Sequence, residues 1–443
     1  MSELASEPLT EAVLAHGLGG AADLPIPLSY ALIGASWALT FSVVLLFFAW
    51  RTPRLDPDAP GRPLPDRIRR LIDARATRAV LASASLALTV AVLLTAWFGP
   101  TDSARNPVPG IVYIFVWVGA MVASLVFGPV WKLLSPPRAL HGVLCRLLRR
   151  PVDRAPLRYP DSWGLRPAVL GLFSFVWLEL ASPEPGSVAA VAVWVVAYLA
   201  VTTCGLFLFG PIWAERADPL EVYSSLLARL GPLARDRRGG FTLRTPLTNL
   251  SSTPAVAGSA AVACTLLGST AFDSFSTFPA WRNAVDQFGG GSAPLATVVR
   301  TAGLLAFIAA VFIIFRTAAR AVGGLQPSER ALLPQRLAHS LTPIVAGYVI
   351  AHYLTFLVEK GQATLKLCGL TDLQVHYVLS THPALLGGIK VLAVLTGHIL
   401  GVTAAHDRSL RLFPPAHRLT GQLTLVLAMV GFTFTGLYLL FES

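Results

Sequence analysis

Charged side chains are scarce in this sequence. Asp, Glu, Lys and Arg make up 13% of its 443 residues, against roughly 25% in an ordinary soluble domain. Apolar residues make up 54%, and the mean hydropathy over the whole length is +0.62. The apolar excess is therefore not confined to one anchor. The composition argues against a soluble enzyme and indicates a chain that crosses a bilayer several times.

Several sequence motifs are also absent. The chain has no phosphate-binding Walker loop, no dinucleotide-binding glycine fingerprint and no Gly-x-Ser-x-Gly element. These absences argue against ATP-driven pumping and against ordinary serine hydrolysis by this chain alone. Residues 1–15 lack the basic start and the apolar core of a cleavable signal peptide. We therefore expect the first span to act as its own insertion signal.

Ten stretches are apolar over the length that a membrane helix needs, about 20 residues. They lie near residues 28–50, 77–98, 108–131, 164–182, 187–211, 254–272, 295–316, 338–358, 384–405 and 419–441. The sixth is the weakest, because Ala, Gly and Ser dominate it. The predicted fold class is all-α: a polytopic transmembrane helix bundle with short cytoplasmic amphipathic segments. We expect residues 1–27 to form an extracellular N-terminal segment and residues 28–443 to form a single ten-helix transmembrane domain.

Basic residues alternate between the loops. Of the 35 Lys and Arg residues, 29 lie in or at the edge of the first, third, fifth, seventh and ninth loops, and none precedes the first span. Cytoplasmic loops of membrane proteins carry such an excess. The pattern predicts that both termini lie on the extracytoplasmic side. It also accounts for the net charge of +11 without nucleic-acid binding.

The four cysteines agree with this topology. Cys145 falls in a predicted cytoplasmic loop, Cys204 and Cys264 fall within spans, and Cys368 lies outside. An extracellular disulfide within the chain is therefore not expected.

The third and fifth spans end alike, in FGPVW over residues 127–131 and FGPIW over residues 209–213. The same offset of 82 residues aligns Pro137 with Pro219. One reading is a repeated hairpin that frames a central site, as in many transporters. The other is the ordinary enrichment of Pro and Trp at membrane interfaces.

Ionisable residues in or beside the spans are candidates for function, because charges inside a bilayer are costly. Five of them are predicted to line an outward-facing charged pocket for a small solute or ion: Glu179, Asp273, Arg300, His352 and Lys390. His352 and Lys390 lie at similar depths in consecutive spans, which favours one shared cavity. In the alternative reading, Arg300 and Lys390 extend to the lipid headgroups.

Three more histidines, His339, His398 and His406, form a predicted inner layer. His339 and His352 are 13 residues apart, about 20 Å along a helix, as in b-type cytochromes. His398 and His406 are only 8 apart, so two matched haem sites do not form. His398 lies in GHILG, a small-xxx-small motif that brings a neighbouring backbone close. We expect His398 to hydrogen bond to that neighbour.

Copper or zinc at the outer face is an alternative cofactor. His16, His376 and His382 are predicted to lie outside the membrane with His352 beneath them, and imidazoles suit both metals. The histidines show no Cys-x-x-Cys or His-x-x-x-His spacing, and the chain has only three methionines. The spacing is thus not that of an established metal motif.

Five stretches together resemble a family of uncharacterised bacterial polytopic integral membrane proteins, some of whose members are labelled fenitrothion hydrolase. They are AHGLGGAADLPIPLSYAL (15–32), YPDSWGLRPAVLGLFSFVWLEL (159–180), DPLEVYSSLLARLGP (218–232), LLGSTAFDSFS (266–276) and AHSLTPIVAGYVIAHYLTFLVEKGQ (338–362). The resemblance implies a bacterial plasma-membrane protein. If the label applies, it implies a hydrolase that acts on phosphotriesters, chemistry that usually needs a metal-bound hydroxide.

Four hypotheses follow from the sequence. The leading one is transport or binding of a small solute or ion through the charged pocket, with the lipid bilayer as the surrounding partner. The second is metal handling at the outer face. The third is a membrane-embedded hydrolase, and the fourth is an assembly or scaffold subunit without chemistry of its own.

Overall fold

The structure is a computed structural model that describes residues 24, 26–235 and 240–442. The described chain is almost entirely helical, which confirms the all-α fold class. The helices are α1 (Leu28–Ala49), α2 (Asp66–Asp73), α3 (Arg75–Phe98), α4 (Val108–Phe127), α5 (Trp131–Leu134), α6 (Pro136–Leu147), α7 (Arg166–Leu180), α8 (Val188–Phe209), α9 (Pro211–Arg216), α10 (Pro219–Ala228), α11 (Pro246–Ser251), α12 (Ser259–Ser276), α13 (Pro279–Gly289), α14 (Ala293–Arg320), α15 (Pro327–Leu337), α16 (Thr342–Thr355), α17 (Gly361–Leu367), α18 (Pro383–Leu412) and α19 (Arg418–Glu442).

A few segments depart from regular α-helix. The middle of α4, Ile111–Gly119, and the link between α16 and α17, Phe356–Lys360, are π-helical. Single 3-10 turns at Ala338–Leu341 and Pro415–His417 precede α16 and α19. Three short strands, β1 (Arg62–Pro63), β2 (Leu233–Arg235) and β3 (Phe241–Leu243), form an antiparallel sheet in the order β1-β3-β2.

Among the described residues, eight helical segments are long and apolar enough to cross a membrane. They are Leu28–Ala49, Arg75–Phe98, Val108–Phe127, Val188–Phe209, Ala293–Arg320, Pro327–Leu367, Pro383–Leu412 and Pro415–Glu442. The predicted fourth and sixth spans, near 164–182 and 254–272, are also helical but do not belong to this set. Helix α7 has only 15 residues, and α12 has 18 residues rich in Ala, Ser, Thr and Gly. By length and composition the structure thus shows eight candidate spans rather than ten.

Helix α12 lies in the centre of the bundle, packed by α7, α14, α16 and α19. Most of its side chains are buried, including Cys264 and Phe272 at 0% exposure. Its small residues allow close packing, since a Cβ on Gly268 would lie 2.6 Å from the Cα of Ile308 in α14. A helix enclosed by protein needs no lipid-facing apolar surface, which explains how a weakly apolar segment occupies this place.

The five loops with the basic residues meet at one end of the bundle. The first and fifth loops share the small sheet, and Arg138 of the third loop pairs with Glu221 after the fifth span. Asp407, before the ninth loop, accepts a hydrogen bond from Trp50 Nε1 at 2.9 Å. The ring of His417 packs against Gly323 of the seventh loop. The loops that the sequence assigns to one side of the membrane are therefore neighbours in space.

The two similar span ends also have similar structures. Helices α4 and α8 both end at a glycine with positive φ, Gly128 at 80° and Gly210 at 70°. The short helices that follow pack on the other hairpin, α6 against α8 and α10 against α4. Helix α6 buries one face, whereas α10 is buried on nearly all sides. The segment after α8, which the sequence predicts to be amphipathic like the one after α4, is therefore a core helix.

The GHILG motif of α18 forms a close contact with α16. A Cβ on Gly397 would lie 2.5 Å from the carbonyl oxygen of Pro343, and one on Gly401 would lie 2.7 Å from that of Ser340. The two glycines thus let the backbones approach to a distance that side chains would forbid.

Candidate functional site

Prolines set the boundaries of the helices that carry the candidate site. Helices α7 and α16 each have a proline in their first turn, and α13 begins at Pro279, three residues after α12 ends. Proline suits the first helical turn because it has no N–H to leave unpaired. These boundaries place Glu179 at the end of α7, Asp273 near the end of α12 and His352 near the end of α16.

Asp273 and His352 are in direct contact. The Nε2 atom of His352 lies 2.8 Å from Oδ2 of Asp273, and each side chain is 1% exposed. The Tyr353 hydroxyl donates to the same carboxylate oxygen at 3.2 Å. On the other side of the ring, Nδ1 of His352 lies 3.4 Å from the Ser274 hydroxyl. With the proton on Nε2, the imidazole donates to Asp273 and accepts from Ser274, and both ring nitrogens are satisfied.

Glu179 lies close to this pair. It is half-buried and within electrostatic range of Asp273 and of the Tyr353 hydroxyl. We refer to Glu179, Asp273 and His352 as the acid–histidine cluster. An imidazole in contact with a carboxylate can hold and exchange a proton, and Glu179 supplies a second carboxylate within electrostatic range.

A cavity of about 180 Å³ adjoins the cluster between α12, α14, α16 and α19. Ser274 and His352 lie in its wall with other polar side chains such as Thr270, and apolar side chains such as Phe307 and Leu440 form most of the rest. The cluster therefore has Glu179 at one end and a mainly apolar cavity at the other.

The structure differs in two respects from the outward-facing pocket that the sequence predicts. Asp273 and His352 are closed off from solvent, because the small residues of α12 let its neighbours pack tightly over them. Arg300 does not join the cluster: it is half-exposed on α14 and makes no ion pair or side-chain hydrogen bond with any described residue. Lys390 is fully buried on α18.

The proposed metal ligands do not converge where they are described. His376 and His382 are exposed, and Nδ1 of His382 lies 2.8 Å from the carbonyl oxygen of Val378. His352 is instead paired with Asp273. His16 lies outside the described residues. Within the described ranges, no three His, Cys, Asp or Glu side chains form a group that could hold a metal ion.

The inner histidines lie in separate surroundings. His398 contacts the carbonyl oxygen of Val394 in its own helix at 2.9 Å, while its ring packs edge-on against Tyr348. The expected hydrogen bond to the neighbouring helix is thus wrong, because the i−4 carbonyl is nearer. The ring of His406 lies between the Trp50 carbonyl oxygen and the Gln422 side chain. His339 is buried at the start of α16.

Sequence reasoning missed Ser274 and Tyr353, although each directly follows a residue that it singled out. That adjacency was the available signal, because consecutive helical residues project about 100° apart and flank the same region.

A second polar network at the basic end was also missed. Glu221, fully buried, accepts two hydrogen bonds from Arg138 at 2.6 and 2.7 Å. Asp218 caps α10 by accepting from the backbone N–H groups of Leu220 and Glu221, and the Tyr198 hydroxyl donates to it at 3.0 Å. Burial and the neighbouring Glu221 carboxylate raise the pKa of Asp218 to about 7. The Asp-Pro-x-Glu order, a cap followed by proline and an acid in the first turn, was the signal for this network.

The chain was compared with protein-family models, with curated proteins and with solved structures. None matches. The candidate function therefore depends on the site itself.

Proposed function

We propose that the protein carries protons across a membrane, coupled to the movement of a small solute or ion, through the acid–histidine cluster. The observation that supports this most strongly is the 2.8 Å contact between His352 and Asp273, both 1% exposed, in the middle of a helix bundle. Ionisable groups buried within the helices of a membrane protein are costly, and they commonly mark ion pathways and proton relays.

The order of the groups suits stepwise proton transfer. Glu179 lies within electrostatic range of Asp273, Asp273 contacts His352, and His352 faces Ser274 and the cavity. Each group can accept a proton as the previous one releases it, and the net charge of the cluster stays nearly constant during the exchange. A constant charge avoids the cost of an isolated ion in a low-dielectric interior.

The proposal also includes the membrane topology of the chain. It comprises ten membrane passages, with α7 and α12 as two short ones shielded by other helices, and both termini on the extracytoplasmic side of a bacterial plasma membrane. The basic loops meet at one end of the bundle, which supports their placement on the same side of the membrane. Reporter fusions after residues 150 and 290 would test the sidedness: we expect cytoplasmic activity at the first and periplasmic activity at the second.

Proton flux into proteoliposomes with an enclosed pH-sensitive dye tests the transport proposal. With a potassium diffusion potential as driving force, we expect Asp273→Asn and His352→Gln to reduce the flux at least tenfold. Asp286→Asn and His376→Gln are matched controls, because both residues are exposed, and they should keep the wild-type rate. Equal flux in all five proteins, or flux no faster than in empty vesicles, would refute the proposal.

A second candidate function rests on one further observation. Ser274, His352 and Asp273 are connected in the order of a hydroxyl nucleophile, a general base and an orienting carboxylate, and Ser274 and His352 face an apolar cavity. In this reading, Ser274 Oγ attacks the electrophilic carbon or phosphorus of an apolar ester while His352 takes its proton. The alkoxide or phenoxide leaves with that proton, and water then releases the enzyme-bound group.

Fluorophosphonate labelling separates the two candidates. A hydrolase should form an adduct on Ser274 that is lost in Ser274→Ala and in His352→Gln. Ser269→Ala is the matched control, because Ser269 is buried on the same helix and donates to the Leu266 carbonyl oxygen. Absence of any Ser274 adduct would retire the hydrolase, whereas the proton-transport proposal predicts that Ser274→Ala keeps most of the flux.

A further inference from the structure

A second cavity, of about 320 Å³, lies at the basic end of the bundle. It is bounded by α9, α10, the start of α12 and the end of α15. Three cationic side chains line it, those of Lys132, Arg216 and Arg229, together with one carboxylate, that of Glu215. It shares no lining residue with the cavity beside the acid–histidine cluster.

The cations of this cavity are not all neutralised. Lys132 Nζ lies 3.6 Å from a Glu215 oxygen, and Arg216 Nη1 lies 3.3 Å from an oxygen of the exposed Asp161. Arg229 has no carboxylate partner among the described residues; its Nη1 donates to the Ser252 hydroxyl at 2.7 Å. Its remaining guanidinium donors stay available to an acceptor, and a guanidinium matches two oxygens of one phosphate group.

His339 adds a second observation on the same wall. Its side chain is 3% exposed and borders the cavity, and its Nδ1 atom makes no hydrogen bond with any residue that the structure describes. The backbone carbonyl groups of Arg336 and Ala404 also lie near the ring. A ring nitrogen at the wall of a cavity can hydrogen bond to a ligand that binds there.

The start of α12 contributes to the same surface. Helix α12 has 18 residues, and its N-cap is Gly258, which has no side chain to cap the helix. Ser259 and Val262 of its first turn line the cavity. The positive end of the helix dipole favours an anion there.

We propose that this cavity binds the phosphate group of a small anion or of a lipid, with Arg229 as the principal cation and His339 and the start of α12 as hydrogen-bonding groups. The inference is independent of the proposed proton transport, because it uses none of the residues of the acid–histidine cluster. Its 320 Å³ leaves room for an organic group beyond the phosphate itself.

Calorimetric titration of the purified, delipidated protein with inorganic phosphate tests the site, at fixed ionic strength with chloride as the balancing anion. We expect Arg229→Gln to weaken phosphate binding at least tenfold and His339→Gln to weaken it at least threefold. Arg229→Lys should fall between wild type and Arg229→Gln, because it keeps the charge and loses the fork of donors. Arg282→Gln, at an exposed position, is the matched control and should leave binding unchanged.

Native mass spectrometry of protein extracted with its lipids distinguishes the two sources. A retained anionic phospholipid that is lost in Arg229→Gln would identify a lipid headgroup as the ligand. Phosphate binding without lipid retention would identify a free anion. Thermal unfolding curves verify that each variant is folded. If Arg229→Gln does not fold, the comparison of wild type with Arg229→Lys replaces it. Neither phosphate binding nor retained anionic lipid in the wild type, or the same affinity in every folded variant, would overturn the proposal.

Discussion

Replacing Gly397 by alanine would place a methyl carbon 2.5 Å from the Pro343 carbonyl oxygen and 3.3 Å from the Cα of Gly347. Ordinary carbon–oxygen contacts are about 3.4 Å or longer, so α16 and α18 must separate by nearly 1 Å. Overpacking of this kind costs about 1–3 kcal/mol. It outweighs the gain of up to about 1 kcal/mol that alanine brings to a helix interior.

Gly388 is the matched control on the same helix. A Cβ there meets no atom of the described residues within 4 Å, so Gly388→Ala should leave stability unchanged or raise it slightly. Thermal unfolding in detergent, followed by circular dichroism, should show a Tm several degrees lower for Gly397→Ala than for Gly388→Ala. Equal Tm values would show that the two helices are not in the close contact described above.

Three more predictions concern the basic end and metal content. Glu221→Gln removes the partner of a buried bidentate Arg138 pair and should cost about 3 kcal/mol, whereas Asp66→Asn, in an exposed pair, should cost under about 0.5 kcal/mol by the same assay. The pKa of Asp218 is about 7 when folded against 3.8 ordinarily, so its stabilising contribution is complete below about pH 4 and is lost as the pH rises through 7. Asp218→Asn keeps the cap and should flatten the fall of Tm between pH 5 and pH 8; an unchanged slope would contradict the assignment. Metal analysis of the purified protein tests the copper or zinc hypothesis, and stoichiometric metal that is lost in His376→Ala would support it.

Hydropathy predicted the helices because lipid-facing helices must be apolar along most of their length. It also predicted spans at α7 and α12, which are not among the eight long apolar helices, since a helix that packs mainly on protein can be short or rich in small residues. The same property that weakened the α12 signal, its Ala, Gly and Ser content, is what lets it occupy the core.

The contact between Asp273 and His352 was anticipated only as a shared pocket. Sequence gives the depth of a charge from its distance to the helix end, but not the rotation of the helix about its axis. Rotation decides that His352 meets Asp273 while Arg300, at a similar depth, remains half-exposed. The Arg138 and Glu221 pair joins two loops 83 residues apart, and only the fold of the complete bundle brings them together.

Charge movement through the acid–histidine cluster is the most direct test of the proposed function. Membranes containing the protein, adsorbed on a sensor electrode, can be given a pH jump and the transient current recorded. We expect a current in the wild type and in Asp286→Asn, and its loss in Asp273→Asn and His352→Gln. Currents of the same size in all four proteins would contradict proton transfer through this cluster.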